Sequence, residues 1–227
     1  MKKLLLLHGA LGSKDNFIEL TKTLSSDYDV YSLNFNGHGN QQITEDEFSI
    51  TGFADEVILF LDQNSIESIA VFGYSMGGYV ALYLAQNFPN RIDSVFTLAT
   101  KFDWTIESSI RETKLLNPAV IKEKVPKYAM TLQHLHGDSW EKLMGATSKL
   151  MLSLGASPIL KEIDFINIKT PILLAVGDKD VMVSLEETIV VYRLLSSSQL
   201  LVLPNTIHPI DRADLVSLSF QMKNFFR

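Results

Sequence analysis

The sequence predicts an α/β fold with a mostly parallel sheet of about six strands, covered by helices on both faces. Six short runs of apolar residues alternate with segments in which apolar residues recur at helical spacing. Strands buried on both faces have this continuous apolar pattern, which is typical of parallel sheets. The chain has 227 residues, of which 46% are apolar and 20% charged, so we expect one domain over residues 1–227.

The six apolar runs mark the expected strands. They are Lys3–Leu7, Tyr28–Phe35, Ser68–Phe72, Ser94–Ala99, Pro171–Val176 and Gln199–Leu203. The first run ends at His8, so it is shorter than the apolar core of a signal peptide. No run approaches the roughly 20 apolar residues of a membrane span. We therefore expect a cytoplasmic protein with no membrane partner.

Five helices are expected beside these strands. They lie near residues 14–25, 51–63, 75–87, 184–194 and 211–226. In the second of them, Phe53, Val57 and Leu61 fall on one face, as in an amphipathic helix. Ser184 and Glu187 have the spacing of a capping box, which is typical of a helix start.

Residues 101–169 interrupt this alternation. The segment separates the fourth and fifth strands, contains no strand pattern and holds both tryptophans, Trp104 and Trp140. A crossover between parallel strands needs far fewer residues, so we predict an inserted helical cap over the mouth of the sheet. The alternative is a long crossover with no role in binding. Side chains expected to line a pocket are Leu11 and Trp104, with Phe102, Met130, Met144 and Met151 as further candidates.

A nucleophile is indicated by the stretch Gly73-Tyr74-Ser75-Met76-Gly77. It has the form G-x-S-x-G and stands between an apolar strand and a helix, the setting that a nucleophile elbow requires. The glycines leave room for a sharp turn that projects the serine hydroxyl at the carboxyl end of the sheet. The alternative is a chance match in an ordinary strand–helix turn. We predict that Ser75 is the catalytic nucleophile.

Acyl transfer also requires two donors for the developing oxyanion. The backbone N–H of Met76, directly after the nucleophile, is one candidate for this oxyanion hole. The second is Ala10, in the loop His8-Gly9-Ala10-Leu11-Gly12 after the first strand. His8 is expected to support that loop, and the alternative is a simple glycine-rich turn.

The sequence has five histidines, any of which could in principle be the general base. His208 is the histidine in the loop after the last strand and before the last helix, which favours it as the general base. His134 and His136 are expected on a solvated helix face. As an H-x-H pair they lack a third ligand, so no metal site is predicted.

The acid of a catalytic triad orients the histidine and stabilises its charged form. Asp178 and Asp180 both follow the fifth strand. We favour Asp180 because it lies further along the loop, and Asp178 stays open as the alternative.

These motifs together resemble the alpha/beta-hydrolase superfamily, and the likeness covers almost the whole chain. HGALGS follows the first strand, NGHG the second, GYSMGG the third and GDKD the fifth, and His208 follows the last. The resemblance implies an alpha/beta-hydrolase fold, here lacking the usual N-terminal strand pair. It also implies a small, compact serine esterase that cleaves an ester or thioester through an acyl-enzyme on Ser75, without a cofactor.

Charge and composition limit the classes of molecule that this protein is expected to bind. The chain has 20 basic and 26 acidic residues, a net charge of −6, and no cysteine. This balance argues against nucleic acid, and the missing thiols exclude disulfides and thiolate metal sites. A small-molecule acyl substrate is expected, and the oligomeric state stays open. Two alternatives remain: a cofactor-free lyase or synthase that uses basic residues of the cap, and a ligand-binding protein with low turnover.

Overall fold

A computed structural model describes all 227 residues, with six strands in a single sheet. The strands are β1 (Lys2–Leu7), β2 (Tyr28–Ser32), β3 (Ile69–Tyr74), β4 (Ile92–Leu98), β5 (Ile172–Gly177) and β6 (Ser198–Leu203). Their order across the sheet is β2-β1-β3-β4-β5-β6, and every neighbouring pair is parallel. The predicted parallel sheet of six strands is confirmed.

Ten α-helices surround or extend from the sheet. They are α1 (Ile18–Leu24), α2 (Ile50–Gln63), α3 (Met76–Asn87), α4 (Ile106–Thr113), α5 (Pro118–Lys124), α6 (Pro126–His136), α7 (Trp140–Ala156), α8 (Glu162–Asn167), α9 (Leu185–Leu194) and α10 (Leu215–Phe225). None of them is long and apolar enough to cross a bilayer. Helices α4 to α8 all lie within residues 101–169, which we call the insert.

The core has two layers because side chains alternate across each strand. In β1, Leu4 and Leu6 pack with α1 and α10, whereas Leu5 and Leu7 pack on the opposite face with α2 and α3. Parts of the insert, including the buried Trp140, join this second layer. Both faces of the sheet are therefore covered, as predicted.

Several predicted boundaries differ from the structure, and two of the differences have a clear cause. Strand β2 ends at Ser32, because the chain then turns and the Phe35 N–H donates to the His8 ring instead of a neighbouring strand. The last helix begins at Leu215 and not near 211, because Asp214 caps its first turn through the N–H groups of Val216 and Ser217.

Parallel strands bring their carboxyl ends to one edge of the sheet. The loops after β1, β3, β5 and β6 carry Ala10, Ser75, Asp180 and His208 respectively. Residues far apart in the chain therefore meet at this edge, where open α/β sheets commonly bind ligands.

Candidate active site

The turn between β3 and α3 holds Ser75 in a strained conformation. Its backbone has φ 51° and ψ −117°, a region that residues other than glycine rarely adopt. Such strain costs on the order of 1–3 kcal/mol and persists only where the surroundings enforce it. Here the Ser75 N–H donates to the Leu98 carbonyl at 2.8 Å, and the Thr100 hydroxyl donates to the Ser75 carbonyl at 3.1 Å.

Two glycines of the motif are required by close backbone contacts. A Cβ on Gly73 would lie 2.5 Å from the carbonyl oxygen of Gly77. A Cβ on Gly77 would lie 2.3 Å from the carbonyl oxygen of Leu7. The glycines therefore let strand β3, helix α3 and the end of β1 approach closely enough to form the elbow.

His208 and Asp180 form a short pair in the loops after β6 and β5. The histidine Nδ1 lies 2.8 Å from Asp180 Oδ2, and the aspartate side chain is 1% exposed. The other carboxylate oxygen accepts hydrogen bonds from the backbone N–H groups of Met182 and Val183. With Nδ1 donating to the carboxylate, Nε2 is left unprotonated and able to accept a proton.

Opposing effects act on the Asp180 carboxyl. Burial alone raises its pKa, because a charged group loses hydration. The hydrogen bond from His208, its positive charge when protonated and the two backbone N–H groups outweigh burial and hold the pKa of Asp180 below its usual value. The carboxylate therefore stays ionised at neutral pH.

Asp178 has a different position. It is exposed, and its carboxylate accepts a hydrogen bond from the backbone N–H of Thr206 at 3.2 Å. It thus connects the loop after β5 with the loop after β6. Of the two candidate acids, the structure brings only Asp180 to His208.

Tyr74 supports His208 from β3. Its buried hydroxyl donates to the His208 backbone carbonyl at 3.1 Å, and the two rings lie 5.6 Å apart. Burial raises the pKa of Tyr74, so this phenol keeps its proton. This role was missed in the sequence analysis, because Tyr74 stands at an unspecified position of the G-x-S-x-G pattern.

Ala10 and Met76 lie beside the nucleophile. Both line the same cavity as Ser75 and His208. The Ala10 N–H donates no hydrogen bond within the protein. Met76 is the first residue of α3, where N–H groups have no partner inside the helix. Two free donors are therefore available next to the serine.

His136 connects the insert to the loop that carries Ala10. Its Nε2 donates to the carbonyl of Leu11 at 2.9 Å, and its Nδ1 accepts from the Gly39 N–H at 3.0 Å. The prediction of a solvated His136 is wrong, because the end of α6 turns this ring inward and leaves it 1% exposed. His134, two residues earlier, is exposed as expected.

Together with the solvent at its mouth, the cavity beside Ser75 spans about 560 Å³ that no protein atom fills. Its walls are mainly apolar, and α7 contributes a row of side chains on one helix face. Besides Ala10, Ser75, Met76 and His208, the lining residues are Ile50, Tyr79, Lys101, Trp104, Glu112, Thr147, Leu150, Met151, Leu154, Met182 and Val183.

The predicted pocket residues divide into two groups. Trp104 and Met151 line the cavity. The others do not: Leu11 and Met144 are buried in the core, Met130 is 72% exposed, and Phe102 packs edge-on against Phe165. Leu11 has a positive φ of 57°, which bends its loop. Its backbone carbonyl accepts the hydrogen bond from His136 described above.

Comparisons with known proteins agree with this fold. Residues 2–134 match the family model described as alpha/beta hydrolase fold. A pimeloyl-[acyl-carrier protein] methyl ester esterase from Neisseria meningitidis serogroup A is 26% identical, over 92% of this chain and 71% of that protein.

Solved structures share the fold at lower identity. An esterase from Thermogutta terrifontis has a TM-score of 0.81 and 18% identity, covering 100% of this chain and 90% of that one. The enol-lactonase from Burkholderia xenovorans LB400 has a TM-score of 0.78 and 16% identity, covering 99% and 91%.

Proposed function

Because this chain belongs to the alpha/beta hydrolase family, we propose that it is a serine hydrolase that cleaves ester bonds. One observation carries the proposal: Ser75 sits on a strained elbow in a cavity that it shares with His208, whose ring is held by Asp180. In this proposal Ser75 is the nucleophile, Asp180 the orienting acid and His208 the base, which is the chain order expected for the fold.

The geometry supports a two-step reaction. The Ser75 hydroxyl oxygen attacks the ester carbonyl carbon while its proton passes to His208 Nε2. The developing oxyanion accepts hydrogen bonds from the N–H groups of Ala10 and Met76. The alkoxide then leaves, takes the proton from His208 and departs as the alcohol.

Water completes the cycle. His208 takes a proton from water, the resulting hydroxide attacks the acyl-enzyme, and the carboxylic acid product leaves as Ser75 regains its proton. Asp180 stays ionised throughout and stabilises the imidazolium that forms twice in each turnover.

The substrate is proposed to be a small to medium acyl ester in the cytoplasm. The apolar walls of the cavity suit an acyl chain. The insert, which supplies the α7 wall, is proposed to act as the cap of a single domain. The Neisseria relative acts on an acyl-chain methyl ester, which supports the same substrate class here.

A lyase or synthase has less support. That alternative relied on basic residues of the insert facing the serine. None of the seven basic residues predicted for that role lines the cavity; they are Arg111, Lys114, Lys122, Lys124, Lys127, Lys142 and Lys149. Lys101, the first residue of the insert, does line it, but its ammonium stands between two carboxylates, 3.7 Å from Glu112 and 3.8 Å from Glu187.

Active-site labelling tests the proposal. A fluorophosphonate should form one adduct, located by mass spectrometry on Ser75, in the wild type and in the control His134→Ala. Ser75→Ala should lose the adduct and its p-nitrophenyl esterase kcat should fall by at least about a thousandfold. His208→Ala should label far more slowly. Undiminished ester hydrolysis by Ser75→Ala would overturn the assignment.

A further inference from the structure

Two neighbouring faces of helix α7 border two different spaces. The face towards Ser75 lines the catalytic cavity, and its residues recur at the spacing of one helix face; they are Thr147, Leu150, Met151 and Leu154. The next face lines an open groove, which spans about 930 Å³ that no protein atom fills, solvent at its mouth included. The α7 residues of this groove are Lys142, Gly145, Ala146, Lys149, Leu150 and Ser153.

Leu150 is the one lining residue that the cavity and the groove share. With about 3.6 residues per helical turn, it lies between the two sets of side chains on the surface of α7. Across from it the two spaces meet at consecutive residues, since Ser49 lines the groove and Ile50 lines the cavity. Leu150 is 8% exposed and Ile50 2% exposed. A single side chain of α7 therefore separates the cavity from the groove.

The inner part of the groove is apolar. Phe48 belongs to the buried core, and Ile43 and Ala146 pack against it. Gly145 is exposed, and a Cβ there would meet no other part of the protein within 4 Å. Glycine is less favourable than alanine inside a helix, and here no close contact requires it. Its missing side chain leaves room in the groove for an alkyl chain.

Charged groups of the groove lie at its exposed rim. The Glu45 carboxylate is 3.6 Å from the ammonium of Lys142 and 4.0 Å from that of Lys149. These ion pairs connect the segment before α2 to α7 across the groove. The groove therefore keeps a fixed width without filling its apolar floor.

The order of the strands indicates which part of an ester points towards Leu150. The leaving oxygen must face His208, which returns a proton to it. His208 follows β6 at one edge of the sheet, whereas the segment that ends at Ser49 follows β2 at the other edge. Because the acyl chain and the leaving group lie on different sides of the carbonyl carbon, the acyl chain points towards Ile50 and Leu150.

Resting on the proposed esterase activity, we propose that Leu150 closes the acyl end of the catalytic cavity and sets the longest acyl chain that the enzyme accepts. Each methylene buried before the chain reaches Leu150 contributes to binding in the transition state. A longer chain must displace the leucine side chain. The groove behind it would continue the acyl site only when residue 150 is smaller.

A series of substrates tests this role of Leu150. The kcat/KM is measured for p-nitrophenyl esters of straight-chain acids from acetate to dodecanoate. In the wild type it should rise by up to about fourfold per methylene, reach a maximum and then fall. Leu150→Ala should move the maximum to longer chains by about two methylenes or more, and should raise kcat/KM for the longest ester by about tenfold or more.

Two leucines of the same helix provide matched controls. Leu154 lines the cavity but not the groove, so Leu154→Ala should raise kcat/KM for the longest ester by less than about threefold. Leu152 is 42% exposed and lines neither space, so Leu152→Ala should have the wild-type profile. An equal gain in Leu154→Ala and Leu150→Ala would overturn the proposal, because simple enlargement of the cavity would then explain both.

A double variant tests whether the longer chain enters the groove. Gly145→Leu, added to Leu150→Ala, places a side chain in the groove without lining the cavity. It should return kcat/KM for the longest ester to the wild-type value, while butyrate turnover stays as in Leu150→Ala. If the gain with long chains persists in the double variant, the chain takes another path and the proposed role of Leu150 is wrong.

Further outcomes separate this proposal from the esterase activity. An unchanged profile in a folded Leu150→Ala variant, with an inactive Ser75→Ala, overturns the role of Leu150 and leaves the esterase standing. If circular dichroism shows that Leu150→Ala is unfolded, Leu150→Val replaces it and should move the maximum by about one methylene.

If the wild type hydrolyses no ester, the binding of straight-chain 1-alkanols is measured by tryptophan fluorescence, since Trp104 lines the cavity. An affinity that stops rising at a shorter chain in the wild type than in Leu150→Ala supports the role of Leu150. The same limit in both proteins overturns it.

Discussion

The catalytic edge of the sheet and the insert meet at one cavity, yet they are built from different kinds of contact. At the sheet edge, short motifs at strand ends hold Ser75 and join His208 to Asp180, a pair separated by 28 positions in the chain. On the insert side, His136 reaches Leu11 across 125 positions, and a row of α7 side chains forms the wall. We infer that the sheet edge supplies the chemistry, whereas the insert supplies alignment and selectivity.

Exchange of one acid should have the largest effect. Asp180→Asn should lower kcat for p-nitrophenyl butyrate by about 10³–10⁴-fold, because an amide neither holds the required histidine tautomer nor stabilises the imidazolium. Asp178→Asn is the matched control, two residues earlier and on the same loop, and it should stay within about threefold of wild type. Equal losses in the two variants would contradict the assignment of Asp180.

A substitution in the insert should slow the chemical step less than Asp180→Asn does. His136→Leu removes the donor to the Leu11 carbonyl and should let the Ala10 loop shift. Misplacement of an oxyanion donor costs up to about a hundredfold, so kcat should fall about 10–100-fold with KM changed by less than about threefold.

A transition-state mimic separates alignment from simple loss of stability. The affinity for an alkyl trifluoromethyl ketone, whose adduct places an oxyanion in the hole, should fall in His136→Leu in proportion to kcat/KM. His136→Gln, which again offers one donor and one acceptor, should recover part of the loss. His134→Leu on the same helix should behave as wild type, and unchanged inhibitor affinity in His136→Leu would show that the link is only structural.

The difference between the sheet edge and the insert also explains how much of the fold and of the site could be predicted from the sequence. The parallel sheet, the elbow and the histidine after β6 follow from local patterns, because apolar runs and glycine spacing report strand burial and close backbone contact. The inward position of His136 does not, since it depends on how α6 docks against the loops after β1 and β2. Likewise, no local pattern predicts that Trp104 Nε1 and the Thr147 hydroxyl are buried without a hydrogen-bond partner, because this depends on how the insert packs.

The smallest expected effect is on the pH dependence of folding stability, and it tests the contact between the insert and the catalytic edge of the sheet. His8, His38 and His136 lie together there, with ring centres 4.8 Å apart for His8 and His38 and 5.9 Å apart for His38 and His136. Burial lowers the pKa of all three, that of His8 to about 4 from an ordinary value of 6.5. The folded protein therefore keeps them neutral, while the unfolded chain takes up protons below pH 6.5.

The sign of the effect follows from this difference. Stability from the neutral histidines is fully present above pH 6.5 and is lost as the pH falls towards 4, by up to about 1.4 kcal/mol per pH unit for each histidine. Burial raises the pKa of Glu56 to about 7, which acts in the opposite direction but equally in all variants. The unfolding free energy of each variant can be measured in urea across this pH range. In His136→Leu it should fall less steeply with decreasing pH than in the wild type, by up to about 1.4 kcal/mol per pH unit. In His134→Leu it should have the wild-type slope. Identical slopes in all three proteins would mean that His136 is hydrated in the folded state and does not link the insert to the Ala10 loop.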